Sequence, residues 1–401
     1  MKILVLCNKS PWPLHEGGPI AMYAVISGLL KAGHQVKVLA ANTNKYYVDP
    51  TTLPEDFVRQ TSIEFAYIDL AVKPLPALYN YLTGQSYHVS RFSNRDFAAK
   101  LMHILQEETF DVIQAEMLYT TVYLDIIRKY SNAPVILRAH NIEHLIWKRQ
   151  AENCRNPLKR HYLNHLFLTL RNYELSVLNK VDGIVAITPV DALAMARLAK
   201  NVPLLSVPFG IDTSAYSDPP PPPSGVDLFH IGSMNWPPNA EGIRWFLNEV
   251  WPEIHRTLPG IRLFLAGRMM PDWLLHLRTG GVVIVGEVPD AREFMQKHAV
   301  MVVPLLSGSG IRIKIVEAMA SGKAVISTGI GAEGIEYTNG ENMLIADSRE
   351  EFIKAIHAVV STPGLKEKLG ENARILILTN HDNSILISRL VDFYTRVRRR
   401  P

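Results

Sequence analysis

Cysteine is scarce in this chain. Cys7 and Cys154 are the two it has among 401 residues. Two thiols cannot build a disulfide framework, so a stapled secreted scaffold is excluded and a reducing, cytoplasmic setting is the simplest expectation. Long apolar runs are also missing, and none approaches the ~20 residues that cross a bilayer. The run at residues 3–7 is too short for a secretory signal and suits a buried first strand. Neither sign of charge dominates. The net charge of +4 is small for this length and gives no argument for a nucleic-acid partner. No two aspartates stand in an Asp-x-Asp pair. Apolar residues are plentiful, at 47% against 20% charged, which fits a soluble globular chain with core enough for two or three domains.

Strand and helix patterns alternate along the chain, which predicts an α/β fold with parallel sheets. In the first half, strands are expected at 2–7, 35–40, 111–115, 135–138 and 183–187. A Pro- and Gly-rich loop covers 10–19, and a helix over 20–32 is closed by Gly33. Residues 143–180 read as helical with a break at Pro157. The pattern stops at 207–227. Five consecutive prolines, 219–223, followed by Ser224 and Gly225, cannot enter a helix or a central sheet. The expected organisation is therefore a domain at 1–206, a linker at 207–226 and a domain at 227–383. The second half restarts with a strand at 228–231, the loop GSMNWPPN and a helix capped by Asn239. Strands follow at 262–266, 282–285 and 301–305, then helices at 349–361 and 364–375. A last amphipathic helix, 384–397, carries Leu386, Leu390 and Phe393 on one face. Two nucleotide-type α/β domains facing across a cleft are expected.

The most informative stretch is 307–334, SGSGIRIKIVEAMASGKAVISTGIGAEG. It reads as a glycine loop, a helix, a short strand at 324–327 and a second glycine loop. A loop-to-helix junction of this kind presents unpaired backbone N–H groups and a positive helix end, which together hold phosphate. Glu317 is expected about two turns into the helix, where a carboxylate can accept hydrogen bonds from a ribose diol. Phosphate donors and a diol acceptor on one element point to a nucleotide diphosphate. The competing reading is a loop that merely packs a helix on a sheet.

Several motifs in order resemble the retaining glycosyltransferases of family 4, which have the GT-B fold of two Rossmann-like, doubly wound parallel-sheet domains. They are Gly17-Gly18, the His140 loop, VPFGID at 207–212, AGR at 266–268, GEVPD at 286–290 and EAMASGKAVIST. The phosphate loop resembles a branch that reads GSGIRIK. The resemblance covers nearly the whole chain. It implies transfer of a hexose-type sugar from a nucleotide diphosphate to an acceptor hydroxyl, with retention, without a metal or other cofactor. Glu317 matches the second of the family's two spaced glutamates and is implied to bind the ribose. The first falls at Ser309, which is not acidic, so Ser309, Gly310 and Ile311 are left to contact the donor through the loop. Many relatives carry basic residues after the strand at 228–231, and this loop, opened by Gly232, has none. Arg312 and Lys314 are the candidates for that charge. By the same resemblance, Gly17 and Gly18 approach the donor phosphates, and His140 lies near the donor sugar. Arg268 belongs to the donor site, the backbone at Glu287 and Val288 reads the base, and Glu333 faces the donor. The missing Asp-x-Asp pair agrees with a metal-independent site.

Rival readings come from the same residues. His140, Glu143 and His144 spell H-x-x-E-H, which on one helix could hold zinc. The apolar run at 135–137 predicts a strand there instead. A nicotinamide dehydrogenase lacks its G-x-G-x-x-G loop. A nucleotide-sugar epimerase of related fold would share the diphosphate site but needs further acid/base carboxylates. Basic residues cluster at 147–160 (Lys148, Arg149, Arg155, Lys159, Arg160) and in the tail 396–400. They are read either as solvated faces or as contacts with an anionic membrane at the inner face, bringing a glycan or lipid-linked acceptor to the first domain. Residues 75–82 and Trp147 are read as acceptor groove or core. The final helix is expected to return to the first domain.

Overall fold

A computed structural model describes residues 1–14, 17–154, 156–216, 225–308 and 311–399. The chain forms two units: Met1–Gly210 with Asn383–Pro401, and Ile211–Asp382. The five-proline run lies outside the described residues.

The first unit is built on seven parallel strands: β1 (Lys2–Cys7), β2 (Gln35–Thr43), β3 (Glu64–Ile68), β4 (Val112–Glu116), β5 (Val135–Ala139), β6 (Gly183–Ala186) and β7 (Leu204–Ser206). Their order is β3-β2-β1-β4-β5-β6-β7. Both faces of the sheet are covered, which is why β1 is a continuous apolar run rather than an alternating one. Leu4 and Leu6 enter one core with Leu101, Ile113 and Leu137. Ile3 and Val5 enter the other with Met22, Ile26 and Leu390. The last helix of the chain, Asn383–Arg398, supplies much of that second core through Leu386, Ile387, Leu390, Phe393 and Val397. Each such side chain contributes roughly 1.5–3 kcal/mol on full burial. The helix lies close against Gly17–Lys31. A Cβ on Gly28 would stand 2.5 Å from Ile387 Cγ1, and Asn383 Nδ2 donates to the Ala24 carbonyl at 2.8 Å.

The second unit has six parallel strands: β8 (Leu228–Ile231), β9 (Leu263–Ala266), β10 (Val282–Gly286), β11 (Val300–Val303), β12 (Ala324–Ser327) and β13 (Leu344–Ile345), ordered β10-β9-β8-β11-β12-β13. Phe246, Trp251 and Phe352 fill its core against Val302 and Ile326. The Trp251 indole N–H finds a partner in the Gly280 carbonyl at 2.9 Å. In each sheet the strand order reverses once, between β1 and β4 and between β8 and β11. Loops leaving adjacent strands there diverge, which opens a crevice at the carboxyl ends of the strands.

Several local expectations are corrected. Gly17 and Gly18 are the first residues of the helix Gly17–Lys31, not a loop before it, because Pro19 is tolerated in a first turn. The helix Pro237–Trp245 starts two residues before Asn239, with proline at its first position. Asn239 instead turns its Nδ2 back to the Ser233 carbonyl at 2.9 Å. The strand expected at 301–305 stops at Val303, because Pro304 has no N–H for the ladder.

Candidate active site

In the second unit, the loop after β8 and the loop after β11 meet at the switch point. The helix Ile313–Ala320 begins there, with Arg312 at its N-cap, and the Arg312 side chain makes no capping hydrogen bond. The helix end therefore offers its leading N–H groups to a ligand. The Arg312 guanidinium stacks 4.8 Å from the Trp236 ring centroid, joining the two loops. Gly308 makes this possible. Its φ is +119°, and a Cβ would stand 2.8 Å from Arg312 Nη2 and 3.0 Å from the Trp236 ring. Burial draws the Arg312 pKa down to about 10, against the opposing pull of the Glu333 carboxylate, so it stays cationic at neutral pH. Lys314 Nζ lies 2.7 Å from Glu317 Oε2. Glu317 is the fifth residue of its helix, just past one turn, closer to the helix N-terminus than the sequence suggested. Ile311 is half-buried beside them, while Ser309 and Gly310 lie outside the described residues.

The remaining donor-side candidates rim the same end of the sheet. Gly267 has φ +149°, and a Cβ on it would stand 1.8 Å from the Gly232 carbonyl oxygen. The loops after β8 and β9 can touch only because residue 267 has no side chain. Gly267 N–H donates to the Gly286 carbonyl at 2.8 Å, which adds the loop after β10. Across these loops Arg268 Nε pairs with Glu287 Oε1 at 3.0 Å, and Val288 follows half-buried. The second glycine loop is tied under β11 by Thr328 Oγ1, which donates to the Leu305 carbonyl at 2.7 Å and accepts from Gly331 N–H. That places the half-buried Glu333 within electrostatic reach of Arg312.

The first unit has its own cluster at the β1/β4 switch point. His140 follows β5 directly, and its Nε2 lies 2.7 Å from Glu116 Oε2 at the end of β4. Arg138 Nη1 reaches both Glu116 oxygens, at 3.2 and 3.1 Å. Burial lowers the His140 pKa, and the Glu116 carboxylate only partly restores it. A neutral imidazole donating Nε2–H to Glu116 keeps Nδ1 as an acceptor. Lys9 adds positive potential near His140 and lies against Gly18, where a Cβ would stand 2.9 Å from Lys9 Cε. Gly17 opens the same helix.

The helix Glu143–Glu152 begins after His140, so the two histidines of H-x-x-E-H do not share it. They face different carboxylates. His144 Nδ1 lies 2.6 Å from Glu174 Oε2, and Glu174 also accepts the N–H groups of Glu143 and His144. Burial pushes the Glu143 carboxyl up to about 7, although the Tyr119 hydroxyl donates to it at 2.8 Å.

Sequence reasoning missed Trp236, Tyr216, Lys9, Glu116 and Arg138. Burial and the nearby Glu317 carboxylate raise the Tyr216 hydroxyl pKa, which places Tyr216 near the helix Ile313–Ala320. Trp236 had a signal, an aromatic in the loop after the unit's first strand. Glu116 and Arg138 had none, since they meet only through strand register.

Residues 225–362 match the family model described as "Glycosyl transferases group 1". Over those residues the second unit is similar to group 1 glycosyltransferases. The whole chain has the GT-B fold. It is similar to sucrose-phosphate synthase from Thermosynechococcus elongatus, with TM-score 0.69 and 15% identity over 99% of each chain. It is similar also to Anabaena Alr3699/HepE in complex with UDP-glucose, with TM-score 0.66 and 15% identity over 99% of this chain and 100% of that one. A curated relative from Klebsiella pneumoniae, "Uncharacterized 44.6 kDa protein in cps region", is 23% identical over 97% of this chain and 98% of its own length. The matched stretch spans the switch point and carries Arg312, Lys314, Glu317 and Glu333.

Proposed function

We propose that this chain transfers a hexose-type sugar from a nucleotide diphosphate to an acceptor hydroxyl, with retention of configuration. The observation that carries the reading is the meeting of Arg312, Lys314, Glu317 and a helix end at the β8/β11 switch point. A leaving diphosphate gains negative charge as the glycosidic bond breaks. Two cations and a helix N-terminus, fixed before reaction, stabilise that charge without requiring a metal. Glu317 shares Lys314 and presents its carboxylate to the ribose diol. Glu333 acts on the donor side and holds Arg312 in place. His140, fixed through Nε2 by Glu116, offers Nδ1 to a sugar hydroxyl and orients the donor. The loops at Gly232, Arg268, Glu287 and Val288 take the base.

The complex of HepE with UDP-glucose supports a nucleotide-sugar donor. The cps-region relative supports a growing polysaccharide, or its lipid-linked precursor, as acceptor. The test is turnover on a panel of UDP-, GDP- and ADP-sugars with EDTA present, followed by nucleotide release and product analysis. One donor is expected to be consumed, with release lost in Glu317→Ala. Conversion of one nucleotide sugar into another would replace transfer by epimerisation. Release that depends wholly on added metal would remove the metal-free mechanism.

A further inference from the structure

The helix Pro74–Thr83 carries its apolar stripe on the outside. Leu75, Leu78, Tyr79 and Leu82 recur at the i, i+3, i+4, i+7 spacing that normally marks a buried face. Here they are 80%, 55%, 61% and 75% exposed. The buried residue of this helix is polar: Asn80, whose Nδ2 donates back to the Pro76 carbonyl at 2.8 Å. The stretch read as groove or core is thus not core. Tyr81 holds the helix against its neighbour Pro157–Leu178. Its hydroxyl lies 3.4 Å from His161 Nε2, and its ring centroid 4.3 Å from that of His165. The first turn of that neighbour adds Leu158, 85% exposed, with Lys159 and Arg160 exposed beside it.

Charge is concentrated on the same two segments. Residues 70–95 contain Lys73, Arg91 and Arg95 and no acidic residue, with Lys73 paired to Asp69 at 3.1 Å just outside the stretch. Residues 153–173 contain Arg155, Lys159, Arg160 and Arg171 and no acidic residue. Together these cations exceed the net +4 of the entire chain.

We propose that this face of the first unit binds the surface of an anionic bilayer. Leu75, Leu78, Leu82 and Leu158 enter the acyl boundary, Tyr79 sits at headgroup level, and Lys159 and Arg160 meet lipid phosphates. The element lies on the membrane rather than across it, since no helix among the described residues is long and apolar enough to span. A second copy of the chain is the poorer occupant, because it would set like charges against like. Anionic lipid neutralises them. The proposal goes beyond sugar transfer and holds or fails without any donor present.

The test is flotation of the full chain with phosphatidylcholine vesicles, with and without phosphatidylglycerol, at low and high salt. Flotation is expected only with phosphatidylglycerol and is weakened by salt. Removing a cation, as in Lys159→Gln or Arg160→Gln, should weaken binding about fivefold each. Leu75→Asp combined with Leu82→Asp should abolish it at unchanged melting temperature, since both side chains are already in solvent. Failure of the wild type to float at low salt would overturn the proposal, as would undiminished flotation of the double variant. So would a dimer in solution that the double variant dissociates while vesicles bind neither form.

Discussion

At the ends of β4 and β5, Glu116, Arg138 and His140 have side chains 0%, 1% and 6% exposed, and the Glu116 carboxylate pairs with both of the others. At the end of β11, Lys314 and Glu317 are 40% and 25% exposed and pair only as neighbours on a helix. Both clusters sit at a switch point of a parallel sheet, so topology alone does not distinguish them. Burial does. A sealed carboxylate network fixes the geometry of one imidazole and is costly to disturb. A half-open pair is cheap to separate and free to exchange its partner for a ligand. The proposed roles follow this difference: the first cluster positions, and the second binds charge.

The sharpest break of this comparison is Glu116→Ala. It strands Arg138 and His140 in the interior and should cost about 3–5 kcal/mol in denaturant unfolding. Lys314→Ala should leave unfolding nearly unchanged, and equal losses at both positions would erase the distinction. The pH dependence has a definite sign. Burial alone would raise the Glu116 carboxyl, but Arg138 and His140 pull it below its ordinary value of 4.5. Its stabilisation is present above pH 4.5 and fades as pH falls through the lower folded value.

Next in size is activity. Lys314→Ala and Arg312→Ala are each expected to lower turnover about 100-fold through lost stabilisation of the leaving diphosphate, measured as kcat at saturating donor. A rise in KM alone would show that these cations only hold the donor.

A third effect contrasts Glu116 with another buried carboxyl of the first unit, Glu143. Burial raises Glu143 to about 7, so its cost appears as pH rises from 4.5 through 7. By linkage this loss is at most about 3 kcal/mol. Glu143→Gln should raise the melting temperature at pH 8 and leave it nearly unchanged at pH 4.5. A gain equal at both pH values would contradict this assignment. The smallest effect is Trp236→Ala, which removes the surface on which Arg312 stacks. It should weaken nucleotide binding about fivefold by titration calorimetry, and unchanged affinity would show that Arg312 is held by other contacts.

Central strands were legible in the sequence because they are buried on both faces and read as unbroken apolar runs, as in β1. Of the four edge strands only β10 was, as the apolar run at 282–285. β3, β7 and β13 are short or half-exposed and carry no such run. The helix Ile313–Ala320 and the strand β12 were legible because each is a contiguous local pattern. Glu116 was not, because it faces Arg138 through the β4–β5 register, a long-range pairing that no local pattern encodes. The helix Pro74–Thr83 shows the opposite failure. Its period was legible, but period alone does not say whether the apolar stripe meets the core or the outside.

The account rests on a diphosphate site at the β8/β11 switch point. The most direct measurement is calorimetric titration of UDP, GDP and ADP into the full chain in EDTA, repeated with Arg312→Ala. One nucleotide should bind the wild type, and the variant should bind it at least about tenfold more weakly. Equal affinity in the two proteins, or no binding of any nucleotide, would contradict the site.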